Sequence, residues 1–232
     1  EVAYLDDNSY GYVSLDEIAV FKQGKKASIT FNALPKDKSY AQKEGYTFFM
    51  EKEIYEQGAV VSETIMGRVK NHKVTLENLD DEYLKGIDDV VLCACGTSYH
   101  AALTASYLFE RLAKVRTKVE VASEFRYRKP YLNKNSLFIV ISQSGETADT
   151  LEALRIAKEA GLKTLAICNV DNSSIVRLAD NTLLTRAGIE KGVASTKAFA
   201  TQIIVLWMLV LQMASAKESI SKKELDHEIK TL

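Results

Sequence analysis

From about residue 85 onward the chain alternates short β-branched runs with longer stretches whose apolar residues recur every three or four positions. The short runs are Val90 to Ala94, Lys118 to Ala122, Leu137 to Ile141, Thr164 to Cys168 and Thr182 to Thr185. The spacing between them predicts helices at Tyr99 to Ala113, Ala148 to Ala160, Ser173 to Ala179 and Ser195 to Ala214. Strands alternating with helices imply βαβ crossovers, and near-continuous apolar strands imply a sheet covered on both faces. The expected fold class is therefore α/β: a three-layer αβα sandwich with a five-stranded parallel sheet. Ligands of such sheets bind beyond the carboxyl ends of the strands, where the strand order reverses.

Before this region the rhythm differs. Residues Glu1 to Phe31 are rich in Tyr and Val, and Gln23-Gly24 joins the β-like runs Ile18 to Phe21 and Ala27 to Phe31 as a predicted hairpin. A lone hairpin is marginal in water, so this pair needs company. The stretch Asn32 to Gly45, with Pro35, Lys36, Lys38 and Lys43, has linker composition. Residues 46 to 69 read as helical, with Phe49, Ile54, Tyr55, Val61 and Ile65 at spacings of three and four and the acids Glu51, Glu53 and Glu56 between them. The expected division is residues 1–45 as a stub plus linker and residues 46–232 as the main domain. The chain opens at Glu1 with no initiator Met and no signal-peptide pattern, and reads as a piece of a longer protein.

Composition narrows the classes of function. Lys plus Arg number 30 against 31 Asp plus Glu, with no basic run to neutralise a line of phosphates, so nucleic acid is not an expected partner. Cys93, Cys95 and Cys168 are odd in number, lie in apolar runs and lack metal-ligand spacing, which points to a reducing cytoplasm and to neither disulfides nor zinc. The apolar stretch Ile203 to Leu211 is shorter than the roughly 20 residues of a membrane span and reads as a buried helix. Being apolar nearly all round, with Trp207, Met208 and Met213, that helix suggests core or subunit packing and hence a homodimer.

Candidate chemistry lies in three strand-to-helix loops: Cys95-Gly96-Thr97-Ser98, Ser142-Gln143-Ser144-Gly145-Glu146-Thr147 and Gly192-Val193-Ala194-Ser195-Thr196-Lys197. Each joins a glycine to hydroxyls at a predicted helix N-terminus, where unpaired N–H groups and the macrodipole favour an anion. One hydroxyl suffices for an N-cap, and residues 142 to 147 hold three, plus an amide and a glycine. Neither GxxxxGK[ST] nor GxGxxG is present, so the expected ligand is a single phosphate on a small hydroxylated molecule such as a sugar phosphate. Glu146 would repel that phosphate unless it faces outward or pairs with a base, and Lys197, a cation in a first helical turn, calls for a salt bridge. His100 reads as a partly exposed helix histidine and Cys95 as a small buried residue at a strand end.

Five blocks carry a family resemblance: C-G-T-S (95–98), A-S-E-F-R-Y-R (122–128), S-Q-S-G-E-T-A-D-T-L (142–151), L-A-I-C-N (165–169) and G-V-A-S-T-K-A-F (192–199). Together they resemble the first sugar isomerase (SIS) domain of the isomerising glutamine:fructose-6-phosphate aminotransferases, over about residues 46 to 215, with residues 1 to 31 similar to the end of their glutaminase domain. The resemblance implies a flavodoxin-like SIS fold and an enzyme that makes glucosamine 6-phosphate from fructose 6-phosphate and glutamine without metal or redox cofactor. By residue, it assigns sugar-phosphate contacts to Thr97, Ser98, Ser142, Gln143, Ser144 and Thr147, with Val193 and Ser195 beside the sugar. It implies that the glutaminase nucleophile, the isomerase carboxylate and histidine and the Schiff-base lysine all lie outside these 232 residues, so that this chain binds without catalysing. A noncatalytic SIS sensor of sugar phosphates and a flavodoxin-like cofactor carrier are the alternatives.

Overall fold

The computed structural model describes residues 3–31, 43–128 and 130–232. Two compact units are present, Glu1–Gln42 and Lys43–Leu232. In the first, β1 (Ser9–Val13), β2 (Ile18–Lys22) and β3 (Lys25–Ala27) form an antiparallel sheet in the order β1-β2-β3. The hairpin at Gln23-Gly24 exists, but its second arm is Lys25–Ala27 rather than Ala27 to Phe31. Both loop residues have positive φ, 52° and 77°, which gives a two-residue turn that lets pairing resume at Lys25. Most of the expected linker, residues 32–42, lies outside the described residues.

The second unit begins with α1 (Phe49–Ile65), followed by the small hairpin β4 (Val69–Lys70) and β5 (Lys73–Val74) and the short helix α2 (Asp81–Lys85). Then come β6 (Asp89–Ala94), α3 (Gly96–Leu108), which runs on into one π-helical turn at Phe109–Ala113, β7 (Arg116–Val121), α4 (Ala122–Phe125), β8 (Ser136–Ser142) and α5 (Ala148–Glu159). The remainder is β9 (Lys163–Cys168), α6 (Ser174–Leu178), β10 (Asn181–Leu184), α7 (Lys197–Ala216) and α8 (Lys222–Thr231). Strands β6 to β10 make one five-stranded sheet in the order β10-β9-β8-β6-β7, and every neighbouring pair is parallel.

The alternation of side chains along each strand divides the core in two. Val90, Leu92, Ala94, Ile139 and Ile167 face one way, into a cluster with residues of α2, α3 and α7. Val91, Cys93, Phe138, Val140 and Ala166 face the other way, against Phe125 of α4, Leu154 of α5 and Ile175 of α6. Every residue of β8 is buried, which is why its sequence reads as a continuous apolar run. Helix α7 is long and apolar enough by composition to cross a membrane, yet two thirds of its apolar window is buried within this fold. Helices α1, α2, α3 and α8 pack against it, so the chain itself accounts for most of the apolar surface that suggested a subunit interface.

Strand order reverses between β6, whose crossover runs through α3 to β7, and β8, whose crossover runs through α5 to β9. The loops after these two central strands are Cys95 to Ser98 and Ser142 to Thr147, so both hydroxyl-rich segments flank the switch point at one edge of the sheet.

Candidate functional site

The Ser142 loop is built by its own polar groups. Gly145 N–H donates to Ser142 Oγ at 3.0 Å, Glu146 N–H donates to Ser144 Oγ at 3.2 Å, and the Ser142 and Thr147 hydroxyls lie 3.3 Å apart. Thr147 is the N-cap residue of α5, but its side chain makes no capping bond. The plain alternative, that these hydroxyls serve only as caps, therefore fails here. The first N–H groups of α5 keep their outward-facing dipole, with three hydroxyls beside them.

Gly145 is required twice over. Its φ is +69°, and a Cβ there would come within 1.9 Å of Ser173 Oγ and 2.8 Å of Cys168 Sγ. Backbone at this point passes directly over the end of β9, where Cys168 Sγ also contacts the Gln143 carbonyl at 3.8 Å. Burial pushes the Cys168 thiol above its ordinary range, and burial likewise raises Cys93, so both are small packing groups rather than nucleophiles.

Glu146 is neither repelling a ligand nor paired with a base. Its Oε1 accepts the N–H of Ser174 at 2.7 Å, in the first turn of α6, so its charge meets a second helix N-terminus and turns away from α5. Lys197 makes the salt bridge that its position demands: Nζ lies 2.7 Å from Glu56 Oε2, and the residue is 1% exposed. His100 is exposed on α3 and packs edge-on against Tyr99.

The third loop, from β10 to α7, is shaped by carboxylates whose role the sequence reading missed. Glu53 of α1 is buried and accepts the backbone N–H groups of Lys191 and Gly192, at 2.5 and 3.0 Å. Glu190 accepts the N–H groups of Thr196 and Ala198 at 3.1 and 3.2 Å and the Ser195 hydroxyl at 3.3 Å, capping α7 from outside the helix. Asn169 holds the start of the same loop, accepting from Ala187 N–H at 2.8 Å and donating to the Gly188 carbonyl at 2.7 Å. The buried face of α1 thus consists of Lys52, Glu53, Val60 and Thr64, while Ile54 and Tyr55, expected as part of its apolar stripe, are exposed. A helical wheel assigns acids to solvent, and only the loop arriving some 140 positions later gives these acids their work.

The candidate residues differ in their surroundings. Ser142 is buried, Gln143, Ser144, Thr147 and Ser195 are half-buried, and Thr97 and Val193 are exposed. Ser98 is buried and accepts a hydrogen bond from Gln202 Nε2 at 3.0 Å, which ties the first turn of α3 to α7. Five buried side-chain polar atoms among the described residues have no partner, and three of them belong to Thr150, Thr196 and Gln202, in the opening turns of α5 and α7. Unmet buried polar groups cost about 1 to 3 kcal/mol each, and these three stand at the starts of the two helices that follow the second and third hydroxyl-rich loops. The clefts elsewhere do not share this chemistry: one of about 570 Å³ is lined by Arg111, Lys114, His227 and other residues near α8. Among the described residues no group of three or more His, Cys, Asp or Glu is placed to hold a metal ion.

Residues 83–212 match the family model of the SIS domain. The chain belongs to the SIS domain family. Over 217 residues it is 63% identical to the isomerising glutamine–fructose-6-phosphate aminotransferase of Campylobacter jejuni, a match covering 94% of this chain and 36% of that protein. The corresponding protein of Helicobacter pylori is 46% identical over 220 residues, 95% of this chain and 36% of that protein. This SIS chain therefore spans about a third of the length of the curated relatives it matches. Among solved structures, the C-terminal domain of glucosamine-fructose-6-phosphate aminotransferase from Francisella tularensis superposes with a TM-score of 0.77 at 45% identity, covering 82% of this chain and 55% of that one.

Proposed function

We propose that this SIS domain is the sugar-phosphate-binding part of an isomerising glutamine–fructose-6-phosphate aminotransferase, taking fructose 6-phosphate as substrate or glucosamine 6-phosphate as product. The observation that carries this reading is the N-terminus of α5, where Ser142, Ser144 and Thr147 stand beside the helix dipole with no hydroxyl spent on capping it. Supporting it is an identity of 63% to an enzyme of that name along nearly the whole chain. That extent of identity to an enzyme also favours this reading over a noncatalytic sensor.

In this reading Ser142 accepts from Gly145 N–H and uses its proton toward Thr147, which leaves the Thr147 hydroxyl for the ligand. Ser144, Thr147 and the N–H groups at the start of α5 grip the phosphate, while Gln143, Thr97 and Ser98 meet the sugar. Val193 and Ser195 border the sugar from a loop that Glu53 and Glu190 hold in shape. The glutaminase nucleophile, the isomerase acid and base and the Schiff-base lysine would come from parts of the enzyme beyond this third, and from a second subunit of a cytoplasmic homodimer. The isolated chain would bind sugar phosphate and turn over nothing.

Calorimetric titration of the folded chain with fructose 6-phosphate and glucosamine 6-phosphate tests the reading. A hydrogen bond to a charged group contributes about 1.5 to 3 kcal/mol, so Ser144→Ala should weaken binding roughly tenfold or more with an unchanged unfolding midpoint. No binding to a folded sample, or equal binding by Ser144→Ala, would sink it.

A further inference from the structure

Gln202 lies in the second turn of α7 and is 1% exposed. Its Nε2 donates to Ser98 Oγ at 3.0 Å, while its Oε1 is buried with no partner. A buried acceptor left unmet destabilises a fold, and such groups in native structures call for an explanation. Methionine would fill the same space without that defect, and yet a glutamine is here.

The explanation is in what the amide does to Ser98. Two other hydroxyls of α3 settle their protons on the helix: Thr104 donates to the His100 carbonyl at 3.0 Å and Ser106 to the Leu103 carbonyl at 2.7 Å. Ser98 does not, and no described residue accepts its proton. A serine hydroxyl has one proton and two lone pairs. With a lone pair taken by the Gln202 N–H, the proton is left for an acceptor outside the described residues.

We propose that Gln202 is a positioning residue that fixes Ser98 as a hydrogen-bond donor to the phosphorylated ligand at the strand-end crevice. The inference rests on the sugar-phosphate reading above and adds to it a residue that touches no ligand. It also accounts for a polar side chain beside an otherwise apolar stretch of α7, since Val205, Leu206, Met208 and Leu209 beyond it are all buried.

The test is a binding cycle on the full chain with fructose 6-phosphate. Gln202→Met should weaken binding roughly tenfold while its urea midpoint stays level or rises, because the unmet Oε1 is gone; a purely structural residue would lower the midpoint instead. In a Ser98→Ala background the same substitution should change affinity no further. Should Gln202→Met fail to fold, Gln202→Leu serves in its place: it likewise removes the N–H that holds Ser98 and should weaken binding comparably. Unaltered affinity in the folded variant, or a full further loss in the Ser98→Ala background, overturns the proposal alone. Absence of binding by the unsubstituted chain overturns the sugar-phosphate reading and the proposal with it.

Discussion

Gly145 shows how one residue type can be fixed from two directions. Its φ of +69° lies where a Cβ is strained, and the space above it is already filled by Ser173 and Cys168. Left-handed backbone costs a non-glycine residue about 1 to 2 kcal/mol, and Ser173 and Cys168 are both buried and unable to yield freely. Gly145→Ala should therefore lower stability by about 2 kcal/mol or more, read as a fall in the urea midpoint. An unchanged midpoint would mean that the loop and α6 part easily. The hydroxyls around this glycine were legible in the sequence because they outnumber the needs of one cap. Glu146 was legible only in outline: its charge had to be turned from the site, but its partner, the Ser174 N–H, follows from how α6 is docked rather than from neighbouring residues.

At the scale of elements, α1 and α7 are joined by charge where most helix pairs are joined by apolar contact. Lys197 is buried in the first turn of α7, where the dipole opposes a cation, and Glu56 at 2.7 Å neutralises it. Removing one member of a buried pair costs about 3 to 5 kcal/mol, whereas replacing both with apolar groups is often close to neutral. Glu56→Ala should thus destabilise the chain by about 3 kcal/mol, and Glu56→Leu with Lys197→Met should recover part of that loss in urea unfolding, the remainder falling on buried Lys52, whose Nζ also lies 3.4 Å from Glu56. Equal destabilisation of the single and double variants would contradict a charge-based junction. The five strands and four main helices were readable to within a few residues, since their periods are imposed by two-sided burial. The elements that were not read are short: β1, α2, α4 and the hairpin of β4 and β5 hold too few residues for a period to show. Helix α8 was overlooked despite a readable signal, the capping box in which Ser221 and Glu224 exchange hydrogen bonds.

For the second unit as a whole, one topological fact brings the chemistry together. Reversal of strand order between β6 and β8 places the Cys95 to Ser98 and Ser142 to Thr147 loops on either side of the switch point, though some 45 residues separate them in the chain. Alternating strands and helices imply that edge in advance; they do not imply which distant groups complete it. Glu53 and Gln202 escaped the sequence reading because each acts on a segment that only the tertiary fold brings near, whereas Glu190 caps α7 from within eight residues, by a loop bend that no residue spacing announces. Apolar composition left core and subunit packing open for α7, and helices of the same chain supply much of its cover. The central claim is that the start of α5 holds the phosphate of a sugar phosphate, and a crystal structure of the chain with glucosamine 6-phosphate tests it most directly. The phosphate is predicted within hydrogen-bond distance of Ser144 Oγ, Thr147 Oγ1 and the first backbone N–H groups of α5. Density for the ligand in the cleft beside α8, or anywhere away from this loop, would contradict it.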